Sequence, residues 1–137
     1  MKVKILFEDA YRVVGVMEGD QCASVDFLTQ GESSTSAYRS GLANMLEYVA
    51  TNGLQVMPVA WSHEVDKANG IYEFIKGPLR LFYFKGLNGE IAVCTSGVRK
   101  SGQKADKAAV AHAIALKKQY MSAVKNNTYE VAEDEDE

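Results

Sequence analysis

The sequence predicts a single α+β domain: a small antiparallel curved sheet, built from an N-terminal β-hairpin and a C-terminal three-stranded meander, with helices at about 34–52 and 105–124. Three observations carry this reading. Residues 71–96 contain three β-rich runs separated by short glycine-containing breaks. Residues 2–28 alternate apolar and polar side chains and are rich in Val and Ile. Two longer stretches repeat apolar residues at helical spacing.

The N-terminal runs are KVKILF (residues 2–7), YRVVGVM (11–17) and CASVDFL (22–28). Glu18-Gly19-Asp20-Gln21 supplies turn residues between the last two, so a hairpin about Gly19 is predicted. Ser33 to Ser36 offer helix N-caps. Tyr38, Leu42, Met45, Leu46 and Val49 then make one apolar helical face, and Gly53 stands where a C-terminal cap belongs. Pro58 argues against a central strand in residues 54–66. That stretch reads as a connection, with Val56, Val59 and Trp61 packed inward.

The meander follows. IYEFI (71–75) and LRLFYFK (79–85) flank Lys76-Gly77-Pro78, and Asn88-Gly89 is a hairpin signal before IAVCTS (91–96). Residues 97–103 read as a loop carrying Arg99 and Lys100. The last helix buries Val110, Ala113, Ile114, Tyr120, Met121 and Val124, with Asp106 near its start and Lys125 at its end, as the helix dipole favours. Residues 1–125 form the domain, and residues 126–137 read as an acidic, disordered tail.

Charge is distributed unevenly. The chain carries a net −3, but residues 67–125 carry +8, against −5 before them and −6 after them. A basic segment inside an acidic chain points to a polyanionic partner, or else to a solvated lysine face. Cys22 and Cys94 lie in no Cys/His cluster, so neither a zinc site nor a cofactor is predicted, and each reads as a small buried hydrophobe. No apolar run reaches the roughly 18 residues of a membrane span, and a cytoplasmic location is expected.

Several residues have two readings. Arg80 either binds phosphate or pairs with Glu73 on the adjacent strand. Arg99 and Lys100 either contribute to a basic site or are solvated. His63 and His112 are the only imidazoles available for proton transfer near pH 7, and a lone histidine is more often structural. Tyr72 and Tyr83 are either core aromatics or, for Tyr83, a surface on which a base stacks. Lys104 and Lys107 sit at a helix start, where the dipole disfavours cations.

Residues 69–120 resemble the phage-derived, HigB-like branch of the RelE/ParE toxin superfamily. The resemblance rests on Gly70-Ile71-Tyr72-Glu73-Phe74, Leu79-Arg80-Leu81-Phe82-Tyr83-Phe84, Ile91-Ala92-Val93, Gly97-Val98-Arg99-Lys100-Ser101 and Lys104, then a helix with Ala111, Ala115 and Tyr120. The chain departs from the family pattern at Val98, where Phe is favoured, and at Thr95-Ser96, where Leu-His is usual. The resemblance implies a RelE-like fold and a toxin of a toxin–antitoxin system, a ribosome-dependent endoribonuclease in which the RNA 2′-OH attacks the adjacent phosphate. Arg80, Arg99, Lys100 and His63 would then be catalytic, and Lys104, Lys107 and Tyr83 would bind RNA. The implied partners are messenger RNA on the ribosome and a cognate antitoxin, with no membrane and with homodimerisation left open. A catalytically inactive binding protein of prophage origin and a gyrase-directed, ParE-like toxin are the alternatives.

Overall fold

The structure, a computed structural model, describes residues 1–100, 102 and 106–133. Among the described residues the chain is α+β, with three α-helices and a mixed eight-stranded sheet. The strands are β1 (Lys2–Glu8), β2 (Arg12–Glu18), β3 (Gln21–Cys22), β4 (Ser62–Asp66), β5 (Ile71–Lys76), β6 (Leu79–Phe84), β7 (Glu90–Arg99) and β8 (Glu130–Val131). Their order is β4-β5-β6-β7-β2-β1-β8, with β3 paired to the end of β2. The helices are α1 (Ala23–Thr29), α2 (Ser36–Asn52) and α3 (Lys107–Lys125).

The meander β5-β6-β7 is antiparallel, as the alternation and the Asn-Gly turn predicted. Asn88 and Gly89 both take positive φ (56° and 88°), the conformation a tight hairpin needs. A fourth strand precedes it: β4 pairs with β5, so residues 62–66 are not the connection predicted. Pro58 stands outside that strand and opens a short 3-10 turn instead.

Three further expectations are corrected. The sheet is not wholly antiparallel, because β2 pairs parallel to β7, and β1 parallel to β8. The N-terminal hairpin is β1–β2, turning at residues 9–11. The chain does reverse at Gly19, but β3 leaves β2 after two residues and enters α1. Ser24, Phe27 and Leu28 are spaced i, i+3, i+4, a helical spacing hidden in an alternating run. Gly15 makes room for this helix, since a Cβ there would lie 2.2 Å from Ser24 Oγ. Of the three side chains expected to point inward from residues 54–61, Trp61 packs against the core, whereas Val56 and Val59 are exposed.

The two faces of the sheet bury separate cores. Val13, Leu42, Leu46, Val49, Phe74, Leu81 and Tyr83 pack beneath α2, with Phe27 and Leu28 of α1 against them. Val14, Val16, Ile71, Phe82, Phe84, Val93 and Tyr120 pack beneath α3. Cys22 and Cys94 are buried and unbridged. Residues 126–133, read as the start of a disordered tail, are ordered: Glu130 N–H donates to Met1 O and Ala132 N–H to Val3 O, placing β8 on the outer edge. No helix among the described residues is long and apolar enough to cross a membrane.

Candidate functional site

Strand register fixes where the predicted cations go. Leu79 is paired with Lys76 on one side and Arg99 on the other, while Arg80 is paired with Ile75 and Val98. Successive strand residues face opposite sides of a sheet. Leu79 belongs to the core beneath α2, and Val98 packs against the core beneath α3. Arg80 and Arg99 therefore lie on opposite faces, so antiparallel pairing of β6 and β7 does not gather the predicted cations Arg80, Arg99 and Lys100 on one face. Arg99 is also a strand residue rather than a loop residue, because β7 continues its pairing with β6 past an irregularity near residue 82.

Arg80 gathers a compact polar centre on the α3 side. Its Nη1 donates to the carbonyls of Gly77 (2.7 Å) and Leu79 (2.9 Å), which fixes the guanidinium at the β5–β6 turn. Its Nε lies 3.8 Å from Oε2 of Glu73, and this Nε makes no hydrogen bond. Glu73 is 4% exposed, and the same carboxylate oxygen lies 3.0 Å from His63 Nδ1. His63 and Glu73 are direct register partners on β4 and β5, so the contact is built by the strand pairing itself. The His63 side chain is 63% exposed, and Nε2 has no protein hydrogen-bond partner among the described residues. A carboxylate thus holds one imidazole nitrogen while the other stays available for proton transfer, an arrangement suited to acid–base work.

The remaining predicted residues are dispersed. Tyr83 is 1% exposed; its ring stacks on Phe74 at 4.0 Å between centroids and on Tyr72 at 5.4 Å. Its hydroxyl shares a 2.6 Å hydrogen bond with Ser62 Oγ, and burial pushes its pKa up. Tyr83 is a core residue and presents no face to a base. The Lys100 N–H donates to the Pro78 carbonyl at 2.7 Å, tying the end of β7 to the β5–β6 turn. Lys107 is exposed at the first turn of α3, which Asp106 caps by accepting from Ala109 N–H at 2.9 Å. Lys104 lies outside the described residues. His112 is far from His63 in the fold, 2.9 Å from Glu18 at the end of β2.

Arg99 has surroundings of its own on the α2 side. Its Nη1 lies 3.7 Å from Oε2 of Glu32, beside Arg39 and Phe27. Arg39 escapes a sequence reading because it looks like any solvated helix residue. Glu73 was legible only as a possible partner of Arg80, since its burial depends on three strands meeting. Among the described residues no group of three or more His, Cys, Asp or Glu side chains is arranged to hold a metal ion. No protein-family model matches the chain, and no curated protein sequence matches it.

Proposed function

We propose that this chain is the toxin-like component of a toxin–antitoxin pair, of RelE-like fold and related to the HigB-like branch, that acts in the cytoplasm on messenger RNA at the ribosome. The observation that carries the reading is the His63–Glu73–Arg80 cluster, which puts a carboxylate-held imidazole beside a fixed guanidinium. In the reaction His63 Nε2 accepts the proton of an RNA 2′-OH as that oxygen bonds to the adjacent phosphorus. The bond from phosphorus to the 5′ oxygen breaks, the leaving oxygen takes a proton from solvent water, and His63 returns its proton to solvent. The products are a 2′,3′-cyclic phosphate and a 5′-hydroxyl. Arg80 opposes the charge developing on the phosphoryl oxygens, a contribution that is large where the donor is preorganised. Glu73 holds the imidazole in place through its contact with Nδ1.

Growth and RNA integrity after induction in a bacterial culture test this reading. Arrest with messenger RNA cleavage is expected, relieved by His63→Ala and by Arg80→Ala. Cleavage by His63→Ala at the parental rate, or normal growth with abundant folded parent, overturns it.

Two observations favour a second reading, a non-catalytic binding protein of the same fold. Arg99 is directed away from Arg80, and Glu73 offsets the charge of Arg80. On this reading the parent binds RNA without cleaving it. The acidic segment does not mask the basic centre at its described start, because β8 lies on the sheet edge opposite β4 and β5.

A further inference from the structure

The end of the sheet at the β5–β6 turn is ringed by cations on both faces. On the α2 side, Lys76, Leu79 and Arg99 form one cross-strand row. Lys76 extends along α2, where a Cβ on Gly41 would lie 2.6 Å from its Cε. Arg99 borders a hollow of about 270 Å³ that Glu32, Thr35 and Arg39 also line. Arg39 Nη1 donates to the Glu32 carbonyl at 3.0 Å and to Thr35 Oγ1, so part of its guanidinium is fixed in place. The Arg99–Glu32 pair is open to solvent, with side-chain exposures of 57% and 78%. Such a pair contributes little to stability and exchanges readily for a stronger anion. Two guanidinium groups against one carboxylate leave the hollow net positive. At the turn itself, Lys100 is tied to Pro78, and Arg80 on the α3 side is tied to Gly77 and Leu79.

We infer that a single-stranded polynucleotide crosses this end of the sheet, its backbone held by Arg80 on one face and by Arg99 and Arg39 on the other. The inference rests on the proposed function in taking RNA as the ligand, and adds the path of the strand. Arg80 and Arg99 stand on neighbouring strands, one register step apart, yet no small anion reaches both because the sheet lies between them. A flexible polymer with a charge at every unit bends around the turn and meets both. The guanidinium fork matches phosphate oxygens in pairs, which favours a phosphodiester backbone over scattered carboxylates. Phosphate displaces Glu32 from Arg99 as the strand seats.

The test is the salt dependence of binding, measured by fluorescence anisotropy with a single-stranded RNA of about 12 nucleotides, within the range such sites occupy, and with a trinucleotide. Each cation withdrawn from a phosphate lowers the slope of log K against log salt by about 0.7 for a single strand. Arg39→Gln/Arg99→Gln is expected to lower the slope by about 1.4 for the long strand and to leave the trinucleotide unchanged. Arg99→Gln alone, which keeps the bonds of Arg39, is expected to lower it by about 0.7. Parental binding with an unchanged slope in both variants overturns the crossing path and leaves the proposed function standing. Competition by polyglutamate as effective as by polyuridylate also overturns it, and points to an acidic protein segment. No RNA binding by the parent overturns both readings.

Discussion

The Tyr120 hydroxyl donates to Oε1 of Glu90 at 2.5 Å, and Tyr129 donates to the other oxygen of the same carboxylate. Glu90 is 3% exposed, and Tyr120 also accepts from Leu87 N–H at 3.1 Å. One buried carboxylate therefore joins the β6–β7 loop, α3 and the segment leading into β8. Replacing Tyr129 by Phe removes a hydrogen bond to a charged group, worth about 1.5–3 kcal/mol. Chemical denaturation is expected to show that loss, with faster amide exchange at Glu130 and Ala132 than at central-strand amides.

Glu90 also makes stability depend on pH. Burial raises its pKa above the usual 4.5; the hydrogen bond from Tyr120 and the charge of Arg12 pull the other way but do not prevail. The unfolded chain loses this proton first as pH rises. In the window from about 4.5 up to the raised value, the folded state binds more protons, so stability falls with rising pH. Glu90→Gln abolishes that contribution. Melting curves across pH 4 to 7 are expected to show the variant gaining on the parent as pH rises, and a constant difference would refute the assignment.

Glu73 predicts a strongly non-additive pair. Arg80→Met leaves a buried carboxylate with only the exposed His63 against it, and loss of one partner of such a pair costs up to about 3–5 kcal/mol. The long 3.8 Å separation places this case at or below the lower end of that range. Adding Glu73→Gln removes the stranded charge. The double variant is expected to be more stable than Arg80→Met alone in a double-mutant cycle.

Gly97 is a packing requirement. A Cβ there would lie 2.3 Å from the Phe27 ring, which α1 holds against the sheet. Gly97→Ala is expected to cost about 1–3 kcal/mol, as overpacking does. Phe27→Ala should relieve the clash, so Ala at both positions is less destabilising than the two single losses added together.

Val59 provides the contrasting case. It is 93% exposed and touches no core, so Val59→Asp is expected to leave unfolding free energy within about 0.5 kcal/mol of the parent. A larger loss would show that the 54–61 segment packs more closely than this.

The sequence by itself determined the α+β class, the meander, α2 and α3, because each rests on information within a few residues: alternation, the Asn-Gly turn and helical periodicity. It also offered Arg80 as a candidate phosphate-binding cation within a strand, and His63 as one of two available imidazoles. It misled at residues 22–28, where i, i+3, i+4 spacing and strand alternation overlap in a short run, and only the space above Gly15 selects the helix. Tertiary structure alone decided the parallel β2–β7 and β1–β8 pairings, which join segments far apart in the chain. It alone decided the faces as well. An irregularity between Leu81 and Tyr83 sets the register that places Arg99 opposite Leu79, and a one-residue step in register turns a side chain to the other side of a sheet. That step separates Arg80 from Arg99 and leaves Arg80 with Glu73 and His63, because the strand pairing decides which face each charge occupies.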